Sequence, residues 1–334
     1  MQSPRNDSAL LKVVDLKVNF RTDAGLLSAV DGVSFEIQAG ETLGLVGESA
    51  CGKSVTAYSI LRLLHQPPGE YAGGEILFRG EDLLKAGERR MRAVRGDQIS
   101  MVFQDPQNSL NPILTIGAQI MEAVLQHQRI SKAAARDVVI ESLKQVGVPA
   151  PETRFDSYPH QLSGGMIQRA MIAMALACRP LLLIADEPTT AVDVTIQAQI
   201  LDLLAELQRD FHMSILLITH DLGVVAQICS RVAVMYAGKI VETATTEDLF
   251  GRPAHPYTLG LFRSLPSSTQ TTERLPVIPG SLPDPFNLPS GCRFRARCWM
   301  ANDVCAVEPA FKEVGPGHSS ACHFADQAGR VHPQ

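Results

Sequence analysis

The stretch "ETLGLVGESACGKSVTAYSILRLL" leaves a chain few architectures to choose from. A short apolar strand, Leu43 to Val46, runs into a glycine turn and then into a helix. Gly47, Gly52, Lys53 and Ser54 fit the spacing G-x-x-x-x-G-K-[ST]. The loop Gly47, Glu48, Ser49, Ala50, Cys51, Gly52, Lys53, Ser54 is expected to wrap backbone N–H groups around phosphates, with glycine where a Cβ would intrude. The helix start adds a partial positive charge. Lys53 supplies a full charge to the β/γ-phosphates, and the Ser54 hydroxyl a ligand for magnesium. The alternative is a plain glycine turn with an accidental Lys-Ser. The strand before the loop and the helix after it argue against that.

A second segment answers the first. "RPLLLIADEPTTAVD" is a continuous apolar run ending in two acids, the pattern of a buried parallel strand. Open α/β sheets bind ligands at the C-terminal ends of such strands. Asp186 is therefore placed to hold magnesium, directly or through water, and Glu187 to polarise an attacking water. Surface acids ending a strand would be the bland account for this segment taken alone. Beside the loop, the pair reads as a nucleoside-triphosphatase of the α/β class.

Size and composition leave room for more. The chain has 334 residues, enough for one domain of about 200 to 250 residues and a smaller one. A net charge of −5 argues against a general nucleic-acid coat. Runs such as "MIAMALAC" fall short of the roughly 18 to 20 residues that span a bilayer. "MQSPRNDSALLK" has no apolar stretch of the secretory kind. A cytosolic chain is expected, tied to a membrane through partners.

Further motifs follow in a fixed order: Gln104 in "MVFQDP", "LSGGMIQR" at 162–169, "AVD" at 191–193, and "ITHD" with His220. With the loop and the acid-ended strand, they resemble an ABC-type ATPase over roughly residues 10 to 260. The resemblance implies a RecA-like core with an antiparallel β subdomain and an inserted helical subdomain. It puts the ATPase domain at 8–262, the helical part at about 105–168, and a proline-rich linker with a Cys-rich end at 263–334. It also implies that Ser163, Gly164 and Gly165 face the γ-phosphate bound by a partner subunit. A Ser-capped helix with glycines for close packing is the structural alternative.

By the same resemblance Glu187 activates water, His220 contacts the γ-phosphate, and Gln104 reaches magnesium and the water. Asp193 joins the two sites across the interface, and Phe20, 27 residues before Gly47, stacks on adenine or packs in a small N-terminal sheet. Family loops usually have a further glycine where this chain has Ala50. If that position needs positive φ, alanine costs about 1 kcal/mol.

Two helical patterns follow Gln104. In "SKAAARDVVIESLKQVGVP", Val138, Val139, Leu143 and Val146 recur at helical spacing behind a Ser131 cap. "TIQAQILDLLAELQRDF" is amphipathic through Ile196, Ile200, Leu203, Leu204, Leu207 and Phe211. "HPYT", "YPHQLSGGM" and "DVTIQAQI" look like the ATPases of oligopeptide and dipeptide importers. Relatives that import nickel or glutathione, and a soluble ABC ATPase with a redox-sensing tail, are the alternatives. The resemblance implies ATP and Mg2+, a second ABC ATPase, two permease subunits, and an extracytoplasmic peptide-binding protein met indirectly. The place of work would be the cytoplasmic face of the inner membrane, without nucleic acid.

Cys51, Cys178 and Cys229 are scattered and read as free structural thiols. Cys292, Cys298, Cys305 and Cys322 are spaced C-x5-C-x6-C-x16-C, without the C-x2-C pairs of common zinc sites. Four thiolates can hold a [4Fe–4S] cluster. The resemblance implies one there, with Arg293, Arg295 and Arg297 offsetting its charge or forming a solvated basic face. Zinc and free thiols remain the other readings.

Overall fold

A computed structural model describes residues 9–189, 194–264 and 277–328. In chain order its strands are β1 (Leu11–Thr22), β2 (Gly25–Ile37), β3 (Thr42–Val46), β4 (Gly69–Phe78), β5 (Glu81–Asp82) and β6 (Ile99–Val102). Then come β7 (Leu182–Asp186), β8 (Ser214–Thr219), β9 (Arg231–Tyr236), β10 (Lys239–Thr245), β11 (Lys312–Gly315) and β12 (His318–Ser320). These elements gather into two compact units. One draws on residues 1–37, 42–84 and 219–334, the other on 38–41 and 85–218.

The first unit holds an antiparallel sheet in the order β2-β1-β4-β5. Val13, Leu16 and Val18 of β1 and Val30, Val33 and Ile37 of β2 turn one apolar face inward. Thr22 and Gly25 pair across the hairpin end. In the same unit β3 runs parallel to β9, with Leu43 opposite Arg231 and Val46 opposite Val234. Every residue of β3 is buried, as a continuous apolar run in a parallel strand should be. Beyond β9, β10 and then β12 and β11 add antiparallel strands.

β12 ties the C-terminal segment to β10. Glu242 of β10 pairs with Ser320 of β12, and its fully buried carboxylate accepts from the N–H groups of Ala254 and His255 and hydrogen-bonds His318 Nε2 at 2.8 Å. A buried carboxylate must be satisfied by donors, and here the donors come from both sides of the junction. Tyr236, Tyr257 and Phe294 close the same region, with ring centroids 4.7 to 5.5 Å apart. Trp299 meets Phe294 edge-on, with the Arg263 guanidinium over its own ring.

His255 in this junction carries a pH-dependent part of the stability. Its Nδ1 accepts from the Tyr257 N–H at 3.0 Å, capping the helix Pro256–Arg263. Burial pushes its pKa from 6.5 down to about 3. Between those values the unfolded chain binds a proton that the folded chain refuses. The neutral ring therefore contributes fully above about pH 6.5, and its contribution falls as pH drops toward 3. The loss at the acid end is on the order of 5 kcal/mol. His255→Asn keeps an acceptor for the Tyr257 N–H without the titration. Its denaturant midpoint should fall less than that of the wild type between pH 6.5 and 4.5, whereas parallel curves would refute the assignment.

The second unit contains β8, β7 and β6, all parallel, with β7 in the middle. β7 is buried from Leu182 to Asp186. Its helices include Ile116–His127, Lys132–Gln145, Pro151–Phe155, Gly164–Leu176 and Val194–Phe211. Ser131 does cap its helix, its Oγ accepting from the Ala134 N–H. Val139 and Leu143 are buried while Val138 is half-exposed, and Val146 packs from just past the helix end. Gly117 is required by contact: a Cβ there would sit 2.3 Å from the Phe155 ring, which the Arg136 guanidinium covers from 4.1 Å. In Val194–Phe211 the expected stripe is the buried one at Ile200, Leu203, Leu204 and Leu207, with Ile196 and Phe211 at its half-exposed margins. Among the described residues no helix is long and apolar enough to cross a membrane.

Candidate nucleotide site

In the first unit the loop between β3 and the helix Lys53–Ile60 is built by close approach. A Cβ on Gly47 would lie 2.2 Å from the Met235 carbonyl oxygen, and one on Gly52 2.5 Å from that of Ala29. The two glycines are thus needed to seat the loop on β9 and β2, whatever the loop binds. Gly52 also stands at φ 108 as the helix N-cap. Ala50 is exposed at φ 62, so the condition for a backbone cost is met: about 1 kcal/mol relative to glycine.

Lys53 is 5% exposed, and its Nζ donates to the carbonyls of Gly47 (2.8 Å) and Glu48 (2.9 Å). The ammonium is thereby held inside the turn, as a phosphate-binding cation has to be. Cys51 is buried behind it, and burial raises its thiol pKa. Ser49 is exposed, and Ser54 lies half-buried in the first helical turn. Phe20 is half-buried on β1 opposite Gly69, where a glycine Cβ would meet the ring at 3.3 Å. His220 follows the last residue of β8 and is exposed, while Asp221 caps the next helix through the Gly223 and Val224 N–H groups.

The second unit places its expected residues together at the ends of adjacent parallel strands. Asp186 ends β7 and is fully buried. Glu187 follows at φ 46, its N–H donating to the Ile218 carbonyl at 2.8 Å. A glutamate in the left-handed region is uncommon, and such departures cluster where a side chain must be aimed. Gln104, two residues past β6, donates from Nε2 to Glu187 Oε2 at 3.0 Å across 83 residues of sequence. Gln168 donates to the Pro188 carbonyl at 2.6 Å, anchoring the helix Gly164–Leu176 to the turn after Glu187.

Ser163 N-caps that helix, its Oγ accepting weakly from the Met166 N–H at 3.4 Å. Ser163 and Gly164 are exposed. Among the described residues a Cβ on Gly164 would meet nothing within 4 Å, and one on Gly165 would make ordinary contact with Ile196 at 3.4 Å. Close packing within the chain therefore does not explain the glycine at 164. Asp193 lies outside the described residues.

The expected [4Fe–4S] cluster on Cys292, Cys298, Cys305 and Cys322 needs correction. Among the described residues no group of three or more His, Cys, Asp or Glu is placed to hold a metal ion. That finding removes the zinc reading as well. All four cysteines are free, and the physical reason is that burial favours the thiol at three of them. Burial raises the pKa of Cys292, and pushes Cys298 to about 11 and Cys322 to about 12. The Met300 and Phe324 N–H groups donate to the sulfurs of Cys298 and Cys322. Nor do Arg293 and Arg297 serve a cluster or form a solvated face. Arg293 pairs with Asp31, and Arg297 with Glu48 at 2.9 Å, both side chains largely buried.

Sequence reasoning missed those two arginine contacts and the Tyr257 Oη that accepts from the Glu48 N–H at 2.8 Å. A signal existed in "HPYT", whose histidine caps a helix and whose tyrosine reaches the loop.

A family model described as "ABC transporter" matches residues 30–190, and one described as "Oligopeptide/dipeptide transporter, C-terminal region" matches 241–305. The chain is 52% identical to a probable peptide ABC transporter ATP-binding protein of Sinorhizobium fredii, over 96% of this chain and 97% of that one. It is 49% identical to the dipeptide transport ATP-binding protein DppD of Escherichia coli, over 96% and 99%. Among solved structures it resembles a dimeric ATP-binding cassette in a post-hydrolysis state with ADP and Pi. That match has 26% identity and a TM-score of 0.64 over 71% of this chain and 98% of that one.

Proposed function

This chain belongs to the ATP-binding subunits of ABC transporters, and we propose that it binds and hydrolyses ATP to drive an importer of di- and oligopeptides. The observation that carries the reading is the 49% identity to a dipeptide transport ATPase over 96% of the chain, C-terminal region included.

The residues take the following parts. Lys53 and the loop N–H groups bind the β/γ-phosphates, and Phe20 offers a half-exposed ring to the base. Ser54, Asp186 and Gln104 are oxygen donors of the hard kind that Mg2+ takes. The ion, when bound, neutralises phosphate charge. Glu187 takes the proton of the attacking water, aimed by its own backbone and by Gln104. His220 contacts the γ-phosphate. Ser163 and Gly164 project to a second ATPase subunit, and Asp193 acts across the same interface. ATP then closes two subunits and hydrolysis lets them part, a ligand-driven population shift.

Ile113 (78% exposed) and Leu114, before the helix Ile116–His127, leave an apolar edge suited to a permease segment. On this reading the chain works at the cytoplasmic face of the membrane as a peripheral subunit. The division into an ATPase domain at 8–262, with helical part 105–168, and a Cys-bearing segment at 263–334 belongs to the same proposal.

Reconstitution with its permeases and binding protein in proteoliposomes tests the reading. ATP-dependent uptake of labelled dipeptide is expected, and Lys53→Ala should reduce it to background. Nickel uptake without dipeptide uptake would overturn the substrate class. ATP binding undiminished by Lys53→Ala would overturn the site.

A further inference from the structure

Residue 48 sits in the middle of the phosphate loop and is tied at three points. Its carbonyl accepts from Lys53 Nζ at 2.9 Å, its N–H donates to Tyr257 Oη at 2.8 Å, and its carboxylate pairs with Arg297 Nη1 at 2.9 Å. Two of the three ties come from beyond residue 250 in sequence. Arg297 is itself locked. Its side chain is 7% exposed, and it donates to the Pro279 carbonyl at 2.9 Å, with longer contacts to the Ile278 carbonyl and Tyr236 Oη at 3.4 Å each. Tyr236 belongs to β9, whose next-to-last carbonyl, Met235, touches Gly47.

A carboxylate in a loop that receives phosphates poses an electrostatic problem. Like charges a few ångströms apart disfavour each other, most where solvent is partly excluded. Glu48 has a side chain 28% exposed and so is only partly screened. A guanidinium fixed by carbonyls on its other edge neutralises it without depending on solution counterions.

We propose that Arg297 is a positioning residue for nucleotide binding: from the Cys-bearing segment it neutralises and orients Glu48, so that the phosphate loop accepts ATP. The proposal rests on the reading of the loop as an ATP site. It gives the C-terminal segment a task in the ATPase that needs no metal. Arg297 touches neither substrate nor reacting atoms, so its effect should appear in ATP affinity and not in the chemical step.

The test is a double-mutant cycle on the full-length chain in its reconstituted transporter, with KM for ATP and kcat read separately. Arg297→Ala should raise KM about fivefold, the scale of a partly exposed ion pair, with kcat changed by less than about twofold. In a Glu48→Gln background the same substitution should change KM by less than about twofold, because no carboxylate remains to be neutralised. Arg297→Lys keeps the charge and should also hold KM within about twofold of the wild type.

An unchanged KM in Arg297→Ala would overturn the proposal. So would an equal rise in both backgrounds, which would make Arg297 merely a brace for its segment. A fivefold rise in Arg297→Lys would likewise assign the effect to the bonds with Ile278 and Pro279 and overturn it. Lys53→Ala separates the two levels: loss of ATP binding there, with a flat cycle at Arg297, leaves the ATP site standing and removes only this inference.

Discussion

Glu187→Gln should lower steady-state ATP turnover by about two to three orders of magnitude while ATP still binds and holds a dimer closed. Glutamine nearly matches glutamate in shape and can still accept from Gln104 Nε2 through its own carbonyl oxygen. What it lacks is a basic oxygen for the proton of the attacking water. The backbone at φ 46 and the N–H bond to Ile218 do not depend on the side chain, so the aim of the residue is preserved. Turnover assays, with light scattering in the presence of ATP, check both halves. Turnover within about fivefold of the wild type would remove Glu187 from the role of base.

Ser163→Asp should act on the other subunit's reaction. Aspartate caps helices as well as serine does, so the start of Gly164–Leu176 survives the change. The exposed position then carries a negative charge where the proposal puts a γ-phosphate from the partner. Loss of one favourable contact of this kind costs about 10²-fold in rate, and repulsion adds to the loss. In mixed dimers the site whose phosphate loop lies on the unmodified subunit should fail, while the mutant chain binds ATP through its own Lys53 with wild-type affinity. Weakened ATP binding by the mutant chain alone, before any dimer forms, would contradict a site shared between subunits.

Much of the local architecture was legible because it follows from short-range rules. The five-residue strand β3 needed a continuous apolar run, and the helix Lys132–Gln145 needed Ser131 and an apolar stripe. Ser163 at a helix start was legible for the same reason. Glu187 and Gln104 could be named singly but not paired, since a hydrogen bond across 83 residues depends on which strands lie side by side. The cysteine tail shows the opposite failure. Four cysteines within 31 residues suggested convergent thiolates, yet burial favours the thiol at Cys292, Cys298 and Cys322, and no metal-holding group forms among the described residues. Spacing along a chain constrains ligand geometry only where the segment between is short and regular, as in C-x2-C.

What the sequence alone determined was the chemistry on offer: a lysine at the head of a helix, two acids closing an apolar strand, a capped glycine helix start, and the family those motifs share. These are set within a few residues, where covalent geometry and periodicity leave little freedom. Tertiary structure decided the rest. It made Gly47 and Gly52 obligatory by pressing the loop against Met235 and Ala29, turned Glu187 toward Gln104, and carried Arg297 and Tyr257 to Glu48. Those outcomes depend on which distant segments share a core, and burial of apolar surface, being non-directional, leaves no mark of that choice on any short stretch.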